Sequence, residues 1–277
     1  MEKIKVIDQD TNQSYEFFDN SDHCVMNKFE GFEYPDVKGV VVDVPGKKGA
    51  VYITSSFGRR VFSWAGEFLG TNFLGERILA LAPMTQNGRM KLIQFTTYDG
   101  LELQCEADIT KVVTPYNHTI QAFLVEAVAP DFRFYSQELH TLSMGESQIT
   151  GGTPIPTPVP IDLSGSQSGS TTVTNSGSDL TPVKFKIDGP GTGFTVRNHN
   201  IQKQFRINYT LSASDSVVID TTNRTVILNG ITSIYSALEG FFWELIPGDN
   251  EILFVADSGS TSATKLTMEW RDAYNGV

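Results

Sequence analysis

Along this chain apolar residues recur mostly at every second position, the spacing of a strand with one buried face. The clearest case is 265–271, where Leu266, Met268 and Trp270 share one side and Lys265, Thr267, Glu269 and Arg271 the other. Residues 217–221 and 225–229 are β-rich runs around the turn formers Thr222, Asn223 and Arg224, which predicts a hairpin. Asn229-Gly230 tolerates positive φ and turns the chain out of the sheet. A second hairpin is predicted from 241–245 and 251–255, about Pro247-Gly248-Asp249-Asn250.

The first half follows the same period. Residues 3–8 and 14–18 predict an opening hairpin around 10–13, and strand candidates follow at 50–54, 60–67, 89–97, 101–109 and 119–128. Asp99-Gly100 is a hairpin signal between two of them. Residues 31–48 read as a loop-rich stretch, punctuated by Gly31, Pro35, Gly39, Pro45 and Gly46. One helix is predicted: Asn72 caps it, Leu74, Ile78, Leu81 and Ala82 fall near a 3.6-residue period, and Pro83 ends it.

In residues 145–172, 19 of 28 positions are Gly, Ser, Thr or Pro, too few core-forming side chains for a packed element. The domain connection is placed there. The reading is a mainly β chain: an N-terminal β domain over 1–144, the connection over 145–172, and a C-terminal β-sandwich over 173–277. Strands resume at 171–174 and 183–187.

Charge changes the picture of partners. The chain is −11 overall, and the acidity is shared: 13 Lys/Arg face 19 Asp/Glu in 1–144, and 8 face 13 in 145–277. A duplex-binding protein must neutralise phosphates, so specific nucleic-acid binding is not expected. Two cysteines, Cys24 and Cys105, make no disulfide scaffold, and Cys105 reads as a small buried thiol. Met1-Glu2-Lys3 leads into Ile4-Lys5-Val6-Ile7, which is not a signal peptide, and no apolar run reaches membrane-spanning length. Folding in a cytoplasm without membrane insertion is expected.

Candidate chemistry is sparse. His23, His118, His140 and His199 lie far apart in sequence, without the short spacings of a zinc site. Acidic pairs such as Glu67/Glu76 and Asp249/Glu251 carry no signal for glycoside hydrolysis without geometry. Gly189-Pro190-Gly191-Thr192-Gly193 lacks the Lys-Ser/Thr and the helix of a phosphate loop. Arg197-Asn198-His199-Asn200 reads as a turn, and the same polar cluster is the candidate sugar contact. Trp243 reads as core, and alternatively as a stacking ring for that sugar. No catalytic residue, cofactor site or metal site is expected, and the chain reads as a non-enzyme.

The order of features resembles the distal tail proteins of siphophages and of phage-tail-like bacteriocins. In the first half the matching residues are Gly31-Phe32, Arg59-Arg60-Val61-Phe62 leading to Gly66, Arg77 to Leu81, Gly88, Asp99-Gly100 and Ala129-Pro130-Asp131-Phe132. In the second they are Asn175-Ser176-Gly177, Pro182, Phe185-Lys186-Ile187-Asp188-Gly189-Pro190, Ile219-Asp220-Thr221 and Val226-Ile227-Leu228-Asn229-Gly230. Leu245-Ile246-Pro247-Gly248-Asp249-Asn250-Glu251-Ile252 completes the set.

The resemblance implies a virion protein at the tail tip. The N-terminal domain would be a tail-tube-like β-barrel or split barrel with one helix, forming a homohexameric ring. That ring would dock the major tail tube protein on one side and the tail-tip hub, or tail-associated lysin, on the other, with DNA only passing through its lumen. The C-terminal domain would be a galectin-like β-sandwich carrying receptor-binding or baseplate proteins. Sugar-binding galectins have His-x-Asn-Pro-Arg and Trp-Gly-x-Glu runs. Here Arg197-Asn198-His199-Asn200-Ile201 lacks the Pro-Arg and Trp243-Glu244-Leu245 lacks the Gly. Glycan contact through Arg197, His199 and Trp243 belongs to the alternative reading, a virion carbohydrate-binding module that touches the host wall. A tail-associated glycan hydrolase is the third class, and it would need two carboxylates poised across a cleft.

Overall fold

The computed structural model describes residues 3–17, 24–35, 37–43, 45–46, 48–69, 89–114, 120–146 and 170–277. The predicted helix over 72–83 lies outside the described residues, as do His23 and His118. Most of the 145–172 connection also lies outside them. The chain divides into two compact units, Met1–Gln137 with Ala273–Val277, and Glu138–Asp272.

The strands of the first unit are β1 (Lys3–Asp8), β2 (Ser14–Phe17), β3 (Cys24–Glu30), β4 (Val37–Asp43) and β5 (Ala50–Phe57). They continue with β6 (Arg60–Leu69), β7 (Lys91–Thr96), β8 (Glu102–Val113), β9 (Ile120–Ala129) and β10 (Phe134–Ser136). The second unit holds β11 (His140–Gly145), β12 (Thr171–Asn175), β13 (Val183–Asp188), β14 (Gly191–Asn198), β15 (Lys203–Leu211) and β16 (Ser216–Asp220). After them come β17 (Thr225–Leu228), β18 (Thr232–Ser233), β19 (Leu238–Gly240), β20 (Gly248–Ser258) and β21 (Lys265–Trp270). The last strand, β22 (Ala273–Tyr274), returns to the first unit, where it pairs with β10.

The main sheet of the first unit runs β2-β1-β7-β8-β9-β6-β3. β8 serves two layers: its residues 102–107 pair with β7, and after Ala107 it pairs with β9. A register shift between Ile109 and Lys111 marks the second stretch, and an irregularity of that kind sharpens the local twist of a strand. The sheet thereby folds over on itself in the split-barrel manner. Aromatic side chains fill the space between layers. Phe17 of β2 meets Trp64 of β6 and Phe123 of β9 at 5.5 and 5.1 Å between centroids, and Phe95 of β7 meets Phe134 of β10 at 4.8 Å.

Alternation carries one charged pair inward. Asp8 follows Ile4 and Val6 on the buried face of β1, directly opposite Lys91, and the two form a buried ion pair. The Lys91 ammonium holds the Asp8 carboxyl down to about 2, against burial, with the N–H groups of Thr11 and Asp10 assisting. A carboxyl lowered in the folded state contributes stability that is complete above its unfolded value near 3.8 and is lost as pH falls toward 2. Urea midpoints measured from pH 4.5 to 2 are expected to fall more steeply for the wild-type chain than for Asp8→Asn. Parallel curves would assign the acid sensitivity elsewhere.

Two expectations are corrected here. Residues 31–48 are not all loop, since Val37–Asp43 is a strand paired with Ala50–Phe57. The division between units also lies earlier than 144: β11 pairs with β21 inside the second unit. The second unit is otherwise the expected sandwich, with one sheet ordered β11-β21-β13-β16-β17-β18 and the other β12-β20-β14-β15-β19. Phe185 of the first sheet meets Phe205 of the second at 5.1 Å.

Candidate binding surface on the second unit

Three built turns converge at one end of this sandwich. The first follows β16. Thr221 hydroxyl both donates to Val183 O and accepts from Val183 N, at 2.9 and 2.8 Å. Asp220 Oδ1 accepts the N–H groups of Thr222 and Asn223 at 2.9 and 3.0 Å, an Asx turn that leaves Arg224 at φ 53° and exposed. The hairpin predicted from 217–229 is therefore present, and its tip presents a cation.

The second turn joins β14 to β15. Asn198 is fully buried, donating from Nδ2 to Asn250 Oδ1 at 2.8 Å, and its Oδ1 accepts from Asn200 N at 3.0 Å. Gln202 takes φ 54° and donates to His199 O at 2.7 Å, and Lys203 beside it is exposed while Ile201 is half-buried against the core.

The third segment overturns an expectation. Residues 241–244 are not a strand, and Leu245 makes only an isolated bridge with Thr181. The physical reason is Trp243, which is 2% exposed and packs between the layers. Its ring lies 5.0 Å from Phe185 and 6.1 Å from Phe205, so the segment crosses the end of the sandwich instead of joining a ladder. Asn250 then fixes the exit. Its Nδ2 donates to Ile246 O and Gly248 O at 2.8 and 2.9 Å, and its Oδ1 accepts from Ile246 N at 3.1 Å.

Between these turns lies a cleft lined by Leu180, Ile201, Lys203, Thr221, Arg224, Phe242, Trp243, Glu244 and Ile246. Of the three candidate sugar contacts only Trp243 lines it. Arg197 instead donates to Gln202 Oε1, and His199 sits half-buried in the neighbouring turn with its N–H on Glu251 O at 2.9 Å. The three do not converge on this cleft, and the Trp243 ring is spent on the core. Lys203, Arg224 and Phe242 were not singled out as site residues, because the cleft is assembled from segments that no local pattern links. Elsewhere, Cys105 is buried as expected, and burial pushes its thiol upward. Among the described residues no group of three His, Cys, Asp or Glu is arranged to hold a metal ion.

The chain thus joins a split-barrel unit to a two-layer sandwich that carries a surface cleft. Residues 176–274 match the family model described as siphovirus-type tail component, C-terminal domain, which bears out the resemblance for that domain. Across the whole chain the fold is similar to that in the crystal structure of the SPP1 phage Dit (gp 19.1) protein. That protein is described as a paradigm of the hub adsorption apparatus in phages infecting Gram-positive hosts. The identity is 12% and the TM-score 0.66, over 96% of this chain and 98% of that one. Two structures of the phage P2 baseplate in its activated conformation, with Ca and with Sr, align at 10% identity over 99% of both chains. Their TM-scores are 0.48 and 0.47. No curated protein sequence matches the chain.

Proposed function

We propose that the protein is a non-enzymatic ring component at the distal end of a phage tail tube. Its first unit joins copies of itself into a homohexamer between the tube and the tail-tip hub, and its second unit holds receptor-binding or baseplate proteins. The observation that carries this reading is the tail-component domain in the second unit, set within a whole-chain fold similar to that of a hub protein. The β4–β5 hairpin supports self-association. Among the described strands it pairs with no other, and it turns Val37, Val41, Tyr52 and Ile53 outward at 59 to 61% exposure. A two-stranded ribbon is marginal alone, and exposed apolar surface of this extent marks an interface.

Light scattering on the purified chain is expected to give a mass near six times 30.6 kDa. Ile53→Lys is expected to return the mass to that of one chain without moving the unfolding midpoint of the second unit. A strict monomer at high concentration, together with particles that lack the chain at the tube end, would overturn the reading.

A further inference from the structure

We propose that the cleft at the end of the sandwich takes an acidic segment of a partner tail protein, with an apolar side chain in the cleft and a carboxylate between Lys203 and Arg224. The inference rests on the function proposed above and names the chemistry of the partner that the second unit holds. Two kinds of surface meet there. The floor is apolar, formed by Ile201, Phe242 and Ile246 over the buried Trp243 edge, with Leu180 beside it. Its rim carries two exposed cations, Lys203 and Arg224, and neither forms an ion pair with a described carboxylate.

In a chain of net charge −11 this rim keeps two cations that no described carboxylate neutralises, in contrast to two others of the same unit. Lys186 lies against Asp188 at 2.9 Å, and Arg206 reaches both Glu239 and Asp257. One acid, Glu244, also lines the cleft and is half-buried, so two cations face one carboxylate there. The built turns hold Arg224 and Lys203 in place before any partner arrives, which lowers the ordering cost of binding.

The same surface continues into exposed aromatics. Phe241 is 76% exposed, and Tyr235 lies 6.1 Å from Phe242 between ring centroids. Aromatic anchors beside a charged rim are the composition of a protein–protein contact. A sugar is the poorer fit. It needs an open aromatic face ringed by hydrogen-bonding groups, whereas the indole here is buried and much of the floor is aliphatic. Opposite charges at the rim govern encounter and choice of partner, so reversing them should discriminate strongly.

The test has two arms, both on the full chain. In the first, a blocked hexapeptide of sequence Glu-Leu-Asp-Phe-Glu-Leu is titrated by fluorescence anisotropy against its counterpart with lysine at the acidic positions. Binding of the acidic peptide alone is expected, weakened about tenfold or more by the double variant Lys203→Glu with Arg224→Glu. Equal binding of both peptides, or none, would overturn the proposal. In the second arm, purified particles carrying the double variant are compared with wild type by quantitative mass spectrometry. The expected result is that this chain stays in the tail while an outer tail protein is depleted. A full complement of tail proteins would reject the acidic-segment occupant, and the same complement with impaired adsorption to cells would assign the cleft to a wall glycan instead. Absence of this chain from wild-type particles would instead refute the ring reading itself, so the two failures are distinguishable.

Discussion

Replacing Arg60 with methionine is expected to lower the stability of the first unit by about 4 kcal/mol, because it strips the buried guanidinium's donors from four main-chain carbonyl groups. Arg60 is 3% exposed, and it is satisfied by main chain alone. Its Nε donates to Phe132 O at 2.6 Å, its NH1 donates to Gly31 O and Glu33 O at 2.9 and 2.6 Å, and its NH2 donates to Asn275 O. The guanidinium also lies 4.2 Å from the centroid of Phe134. Burial depresses its proton affinity, with Glu33 and Asp131 among the charges opposing that effect. Hydrogen exchange is the decisive readout: residues 273–277 should lose protection in Arg60→Met while the second unit keeps its own. Arg60→Lys should fail to rescue, since a point charge cannot reach four acceptors set around a planar fork. Unchanged protection in either variant would show that the tail is held by β22 pairing alone.

Gly66→Ala is expected to cost about 3 kcal/mol, as overpacking against a rigid backbone. A Cβ at Gly66 would meet Val25 O at 2.3 Å, Phe123 Cζ at 2.9 Å and Met26 Cα at 3.0 Å. Two of these three atoms are main chain of β3, next to the register shift between Met26 and Lys28, so neither side can yield cheaply. Gly145→Ala is the control. Nothing lies within 4 Å of its Cβ position, and its unfolding midpoint should shift by no more than about 0.5 kcal/mol. If both substitutions are equally mild, β3 and β6 are less closely apposed than their pairing indicates.

These residues show what the sequence could convey. Arg60 and Gly66 stood out only as members of a pattern shared with distal tail proteins, Gly31 also as a loop glycine, and their spacing gave no physical cause. The cause is a close crossing. A Cβ at Gly31 would meet Val61 O at 2.2 Å, at φ 79°, and the Gly31 carbonyl is one that Arg60 caps. The hairpin over 217–229 and the strand Lys265–Trp270 were legible because a two-residue period and turn chemistry agree there. β3 was missed because its bulge breaks the alternation after Met26. β4 was missed because all seven of its residues are exposed, which leaves no period to read among glycines and prolines. Residues 241–245 misled because a short apolar run reads alike in a strand and in a crossing segment. The cleft had no local signal, since it exists only where four distant segments meet.

The return of Ala273–Tyr274 to β10 gives the chain an order of events as well as a shape. The second unit is spliced into the first, so the part translated earliest cannot close until its final strand has been made, after every residue of the second unit. The same connectivity governs how the protein can be re-engineered. Exchanging the sandwich for another binding module takes two cuts, near 137 and near 272, and a fragment taken from 173 onward would forfeit β11 while dragging along a strand that belongs to its neighbour.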